Sequence, residues 1–206
     1  MAIFKSLKKA SQSPEDVTTL KIKVKDKLPL ELLSFKNLTA LYLQSDELEE
    51  IDIPLFKLEN LQTLYIQSKK LELVPSHITK CPSLISLNLK NCNIKHFQVD
   101  LLQPPQVKHL DLSFNNLNKL PDHTHFFEAL EYLTLANNQI QEMDDNLIHF
   151  QALNKLILDN NQLTKINFDL LKQLKSLSQI SIDNNLFSDE TKELITTKTG
   201  YTFEQI

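Results

Sequence analysis

The chain has 206 residues, 41% of them hydrophobic and 23% charged, the composition of a soluble globular protein with a core to bury. A formal charge of -4 gives no general attraction to phosphate backbones, so nucleic acid is not an expected partner. No run of about 18 apolar residues is present to span a bilayer, and "MAIFKSLKKASQSP" lacks the apolar core and small-residue cleavage site of a secretory signal, which makes the cytosol the expected compartment.

In chain order, the first predicted element is the helix start in "SPEDV". Ser13 is placed as its N-cap and Pro14 at its first position, with acids following. Next, "VTTLKIKVKDKLPLELL" reads as a shortened first unit with Val17, Leu20, Ile22 and Leu28 turned inward. Seven longer units then repeat one pattern. "LTALYLQSDEL" (38–48), "LQTLYIQSKKL" (61–71), "LISLNLKNCNI" (84–94), "VKHLDLSFNNL" (107–117), "LEYLTLANNQI" (130–140), "LNKLILDNNQL" (153–163) and "LSQISIDNNLF" (177–187) align at every apolar position. The period is 23 residues, with one step of 24 at the end. Finally, "SDETKELITTKTGYTF" predicts a helix capped by Ser188, ended by Gly200 and followed by an edge strand.

Within each unit the fourth and sixth positions, such as Leu110 and Leu112, share one face of a short strand. One unit cannot bury that face alone. Stacked units form a parallel sheet at about 4.8 Å per strand, with a continuous apolar interior behind it. The second halves supply more inward residues, namely Leu120, Phe127, Met143, Leu147, Phe150, Ile166, Leu170 and Leu174, on short helical turns at the back. With one glycine, Gly200, in the whole chain, turns that need positive φ fall mostly to Asn and Asp. Asn115, Asn138, Asn161 and Asn185 recur at the ninth position, where a side-chain amide can satisfy buried backbone groups. Cys92 substitutes for Asn in one unit, whereas Asp46 and Lys69 depart from the pattern and predict less regular early turns. Cys81 and Cys92 lie at opposite ends of neighbouring units with a strand between them, which predicts free buried thiols.

The motif L-x-x-L-x-L-x-x-N/C-x-L, matched seven times in register, resembles the leucine-rich repeat family. The "PEDV" opening and "SDETKEL" closing look like those of its bacterial members. The resemblance implies an α/β leucine-rich repeat solenoid, with a curved parallel sheet on the concave face and short helical turns on the convex face. It is expected to be a single domain over 1–206: a helical N-terminal cap (1–16), repeats (17–187) and a helix-strand C-terminal cap (188–206). It also implies a non-enzymatic, monomeric module that takes a protein or peptide on the concave face, with no cofactor.

The strongest competing reading is catalytic. His109, Asp111 and Ser113 share a face and are the residue types of a hydrolase triad. Same-face residues on a strand lie about 6.6–6.8 Å apart, so His109 and Ser113 are about 13 Å apart with the aspartate, not the histidine, between them. That order does not support nucleophilic catalysis. "HTH" at 123–125 offers two histidines without a third metal ligand, and a chain with one glycine has no glycine-rich phosphate loop.

The concave face remains. Its third-position column runs Thr19, Ala40, Thr63, Ser86, His109, Tyr132, Lys155, Gln179, and its fifth-position column runs Lys21, Tyr42, Tyr65, Asn88, Asp111, Thr134, Ile157, Ser181. The candidate partner-binding residues are Tyr42, Tyr65, Asn88, His109, Asp111, Phe114, Tyr132, Thr134, Lys155 and Ile157, because tyrosine and other amphipathic side chains anchor interfaces. The bland alternatives are that stacked tyrosines only stabilise neighbouring strands and that Phe114 only covers the solenoid edge. Lys21 and Lys23 at one end, against Asp159 and Asp183 at the other, predict an axial charge asymmetry able to orient a ligand. Two further functions stay open: an exported bacterial effector or surface-associated protein that binds a host protein, and a glycan binder that uses the tyrosines.

Overall fold

Leucine, or isoleucine in the last unit, at the fourth position sets the strands side by side, because only stacking removes that side chain from water. In the structure, a computed structural model that describes residues 3–74, 78, 80–97, 107–120 and 128–203, the strands are β1 (Ile3–Phe4), β2 (Thr19–Lys23), β3 (Ala40–Ser45), β4 (Thr63–Ser68), β5 (Leu73–Val74), β6 (Ser86–Asn88), β7 (His96–Phe97), β8 (His109–Asp111), β9 (Tyr132–Thr134), β10 (Lys155–Ile157) and β11 (Gln179–Ser181). Nine of them form one parallel sheet in the order β1-β2-β3-β4-β6-β8-β9-β10-β11. Its register pairs Leu64, Leu87, Leu110 and Leu133 in a single row. Each of these four leucines is at most 3% exposed. This is the leucine-rich repeat solenoid, and both outward columns fall where the 23-residue register places them.

The back of the units is built from short 3₁₀ turns, such as Leu30–Ser34, Leu55–Lys57 and Asp145–His149, and from helix α2 (Phe168–Gln173). They bury Leu32, Leu55, Leu147 and Leu170 against the sheet in one continuous core. The back also holds a second parallel pair, β5 with β7. Neither strand was legible in the sequence, since two residues carry no alternation. Phe127 and "HTH" 123–125 lie outside the described residues.

Strand ends are closed in two ways. Where Asn or Cys holds the ninth position, the eighth residue takes the left-handed conformation: Asn91, Phe114, Asn137, Asn160 and Asn184, with φ between 55° and 58°. The ninth side chain then ties two units together. Asn138 accepts from the Leu117 N–H at 3.0 Å and donates to the carbonyls of Leu112 at 3.0 Å and Leu135 at 2.9 Å. Asn115, Asn161 and Asn185 repeat this arrangement one unit apart. Cys92 reproduces part of it, accepting from the Ser68 N–H at 3.3 Å and donating to the Ile66 carbonyl at 3.5 Å.

The units with Asp46 and Lys69 turn differently. Their strands β3 and β4 run six residues, and the eighth-position serine does the capping. Ser45 Oγ accepts from the N–H groups of Glu47 at 3.0 Å and Leu48 at 2.9 Å and donates to the Lys25 carbonyl. Ser68 Oγ donates to the Leu48 carbonyl at 2.6 Å. A hydroxyl one position earlier thus replaces the amide, so these early turns are regular on a different pattern. Both cysteines are free and buried. Burial pushes the Cys81 thiol up to about 12 and the Cys92 thiol to about 11, which keeps both protonated at neutral pH.

Phe114 is the exception among the left-handed residues. A bulky side chain there is held at a cost of about 1–3 kcal/mol, which asparagine largely avoids. Its contact with Lys90 Nζ, 4.9 Å from the ring centroid, returns less, about 0.5–1 kcal/mol for an exposed pair. Phe114→Asn is therefore expected to stabilise the fold by about 1 kcal/mol. A denaturant midpoint that stays fixed or falls refutes the strain.

The ends depart from expectation in three places. The N-terminal cap contains a strand as well as helical turns: β1 adds to the edge of β2, followed by helix α1 (Leu7–Ala10). Ser13 precedes only a three-residue 3₁₀ turn, Pro14–Asp16, and makes no side-chain cap, because a turn that short leaves no run of free N–H groups to collect. At the other end Ser188 accepts from the Thr191 N–H at 3.1 Å and Gly200 closes helix α3 (Asp189–Thr199) at φ 72°, as predicted. The edge strand expected after Gly200 is not formed across Tyr201–Phe203. The Tyr201 hydroxyl instead accepts from the Ile182 N–H at 3.1 Å. In earlier units the equivalent N–H groups of Leu112, Leu135 and Leu158 bond to the next strand. Among the described residues no strand follows β11, and the tyrosine supplies an acceptor in its place, with Phe203 packed edge-on against it and against Phe187.

Candidate protein-binding face

Each outward side chain of the third- and fifth-position columns is placed by a leucine or isoleucine beside it in sequence, so the rows across the open face are as regular as the core. Tyr42, Tyr65, Asn88, Asp111, Thr134 and Ile157 form one row on successive strands, and His109, Tyr132 and Lys155 lie in the parallel row two residues earlier. Nine of the ten candidates thus lie on one surface. Phe114 stands apart at the strand end, on the rim.

The two rows differ in what is left for a partner. Asn88 Nδ2 donates to Asp111 Oδ2 at 3.0 Å, and its Oδ1 accepts from the Lys90 N–H at 3.0 Å. Asp111 Oδ1 accepts from both the N–H of Ser113 at 2.9 Å and its hydroxyl at 2.6 Å. These side chains hold the end of β8 in shape. The same contacts dispose of the triad, since the serine bonds the aspartate directly, is 3% exposed, and the histidine is engaged elsewhere.

His109 stacks face to face on Tyr132, with ring centroids 4.6 Å apart and planes 7° from parallel. Both rings are exposed, Tyr132 to 40%. Half-buried Lys155 and Ile157 continue the surface on β10, and Phe114, 46% exposed, stands beyond the end of β8. Tyr42 and Tyr65 sit further along, tilted at 34° with centroids 6.0 Å apart, and Lys21 Nζ lies 4.3 Å over the Tyr42 ring. Tyr65 donates to Gln67 Oε1 at 3.2 Å; burial, with Cys92 and Asp111 nearby, raises its hydroxyl above the usual range. Lys90, which covers Phe114, was not among the candidates, although its seventh-position column could have shown it.

The acidic end of the expected charge asymmetry is corrected. Asp159 accepts the Ser181 hydroxyl at 2.7 and 2.8 Å and the Asp183 N–H at 2.8 Å, and Asp183 is 9% exposed. The Asp159 carboxylate therefore braces the final unit, in which Asp183 is buried. Among the described residues no three His, Cys, Asp or Glu side chains are grouped to hold a metal ion, and no helix is long and apolar enough to cross a membrane.

Parallel three-residue strands at a 23-residue spacing, joined by an asparagine ladder, define the leucine-rich repeat class. Residues 82–140 match the family described as leucine rich repeat, and the fold of the chain is the leucine-rich repeat solenoid. Among solved structures it is similar to an internalin from Listeria monocytogenes, at 22% identity with a TM-score of 0.64, over 90% of this chain and 53% of that one. The chain therefore spans about half the length of that internalin, and the likeness is one of fold. A leucine-rich repeat protein of Leptospira interrogans is matched over 100% of both chains at 16% identity, with a TM-score of 0.35, too low to carry an argument. No curated protein sequence matches significantly.

Proposed function

We propose that this protein is a non-enzymatic interaction module, acting in the cytosol, that holds a protein or peptide on the open face of its sheet. The observation that carries the reading is the exposed His109–Tyr132 stack. It sits beside Lys155 and Ile157, where the neighbouring polar row is tied up in bonds of the fold itself. Aromatic rings with a polar edge give large contact area at low conformational cost, which is what an anchor requires. Phe114, kept outward in a strained conformation where four other units use asparagine, supports the same face.

Affinity capture from the native cell lysate, followed by titration of the captured partner, tests this. Tyr132→Ala is expected to weaken binding by at least about 1–2 kcal/mol, mainly through faster dissociation. Unchanged affinity moves the site off this face. The structural likeness to a Listeria internalin favours one second reading, a bacterial protein exported to act on a host protein. Recovery of the chain outside intact cells in a secretion assay distinguishes it from the cytosolic reading.

A further inference from the structure

The N-terminal end of the same face carries a charge that the rest of the molecule does not. Residues 1–27 hold seven lysines against three acidic residues, a net +4, whereas residues 28–206 carry a net -8. The parallel register of Ile3 with Thr19 and Phe4 with Leu20 brings Lys5 beside Lys21 at the sheet edge. From there the rows run Lys21–Tyr42–Tyr65 and Lys23–Gln44–Gln67 across β2, β3 and β4. Lys5, Lys21, Lys23, Tyr42, Tyr65 and Gln67 line one open cleft of about 390 Å³. Lys5 and Lys23 also border an adjoining cleft with Lys25 and Lys27. Among the described residues none of these five lysines is in an ion pair. Like charges facing one another across strands are destabilising, and a bound anion relieves that cost.

We infer that this cleft docks an acidic peptide segment of a protein partner, with its carboxylates on Lys5, Lys21 and Lys23 and an apolar side chain against Tyr42 and Tyr65. The two tyrosines, 6.0 Å apart, supply an apolar wall that a bare inorganic anion does not need. The net -8 beyond residue 27 repels an extended polyanion or an anionic bilayer, whereas a short segment stays within the basic end. All 22 basic residues of the chain are lysines. Recognition is therefore by point charges rather than by bidentate pairing, and it depends steeply on salt. The inference rests on the open face being a protein-binding surface, but not on the His109–Tyr132 anchor.

The probe is a fluorescent acetyl-Glu-Glu-Phe-Glu-Glu-amide peptide, titrated by anisotropy at low and physiological salt. Wild-type protein is expected to bind it saturably, with affinity falling as salt rises. Lys5→Glu and Lys21→Glu should each weaken binding about ten-fold, and Tyr65→Ala about five-fold. Lys21→Gln, whose far-ultraviolet spectrum should match wild type, gives an intermediate loss and guards against a folding artefact. Lys198→Glu, on α3 and outside the cleft, should bind this peptide as wild type does. Failure of the captured partner to respond to Tyr132→Ala defeats only the anchor and leaves the peptide result standing. Absence of saturable peptide binding overturns the inference, as does equal affinity for the charge-reversal variants. So does preferential binding of phosphatidylserine-containing vesicles, which would make the lysines a membrane contact.

Discussion

Leu110→Ala is expected to lower folding stability by about 2–5 kcal/mol, the range for truncating a buried leucine with a cavity left behind. Leu110 is 3% exposed and lies in register between Leu87 and Leu133, so the vacancy opens inside the stack. The flanking strands are only three residues long and carry identical neighbours on both sides, which leaves little freedom to collapse into it. Because each unit contacts only its neighbours, the loss weakens coupling between the two halves of the solenoid. Chemical denaturation should then show a lower midpoint or two transitions in place of one. A loss below about 1 kcal/mol would mean that the row is not packed as described.

Asn138→Ala should cost about 1–3 kcal/mol, because it strands a buried backbone N–H rather than only removing a contact. The Leu117 N–H loses its acceptor, and the carbonyls of Leu112 and Leu135 each lose one of two amide donors, keeping those of Asn115 and Asn161. Asn138→Asp sharpens the test. It keeps an acceptor for Leu117 but sets a carboxylate against two carbonyl oxygens, which raises its pKa in the folded state above the usual value of about 3.9. With the folded pKa raised, the variant's stability is greatest below that unfolded value and is lost as pH rises through the folded pKa. At neutral pH it should be the weaker of the two variants, and in acid it should recover relative to Asn138→Ala. Equal stability at all pH values would remove the ladder as a source of cohesion.

The rows of the sheet were legible because seven units repeat one spacing, and a register error of one residue would turn every leucine to solvent. The asparagine ladder was legible for the same reason, and so was the need for asparagine in the left-handed turns of a chain with one glycine. What escaped were devices used once or twice. Ser45 and Ser68 cap from the eighth position in two units alone, outside the asparagine pattern that the other units repeat. β1 is two residues long, so the position of Lys5, and with it the basic cleft, depended on a pairing that no pattern announces. Tyr201 accepts from the Ile182 N–H through its side chain, a contact made once and so without a periodic trace in the sequence.

The candidate face was legible by column, but the use of each residue was not. Alternation placed Asn88, Asp111 and His109 outward together, yet only the structure shows the first two bonded into the turn while His109 rests on Tyr132. Asp159 and Asp183 show the same limit. Their column marks them as surface charges, but the partners of Asp159 make it a brace of the final unit and Asp183 is buried.

Side-chain oxidation footprinting of the protein with and without its captured partner locates the bound surface, because oxidisable residues are exposed both on the open face and away from it. His109, Phe114 and Tyr132 lie on the open face and its rim, whereas Leu30 and Leu194 are exposed on the 3₁₀ turn at the back and on α3, at 68% and 45%. The partner is expected to protect His109, Phe114 and Tyr132 and to leave Leu30 and Leu194 as reactive as in the free protein. Protection confined to Leu30 and Leu194, with the three aromatic side chains still oxidised at the free rate, would contradict it.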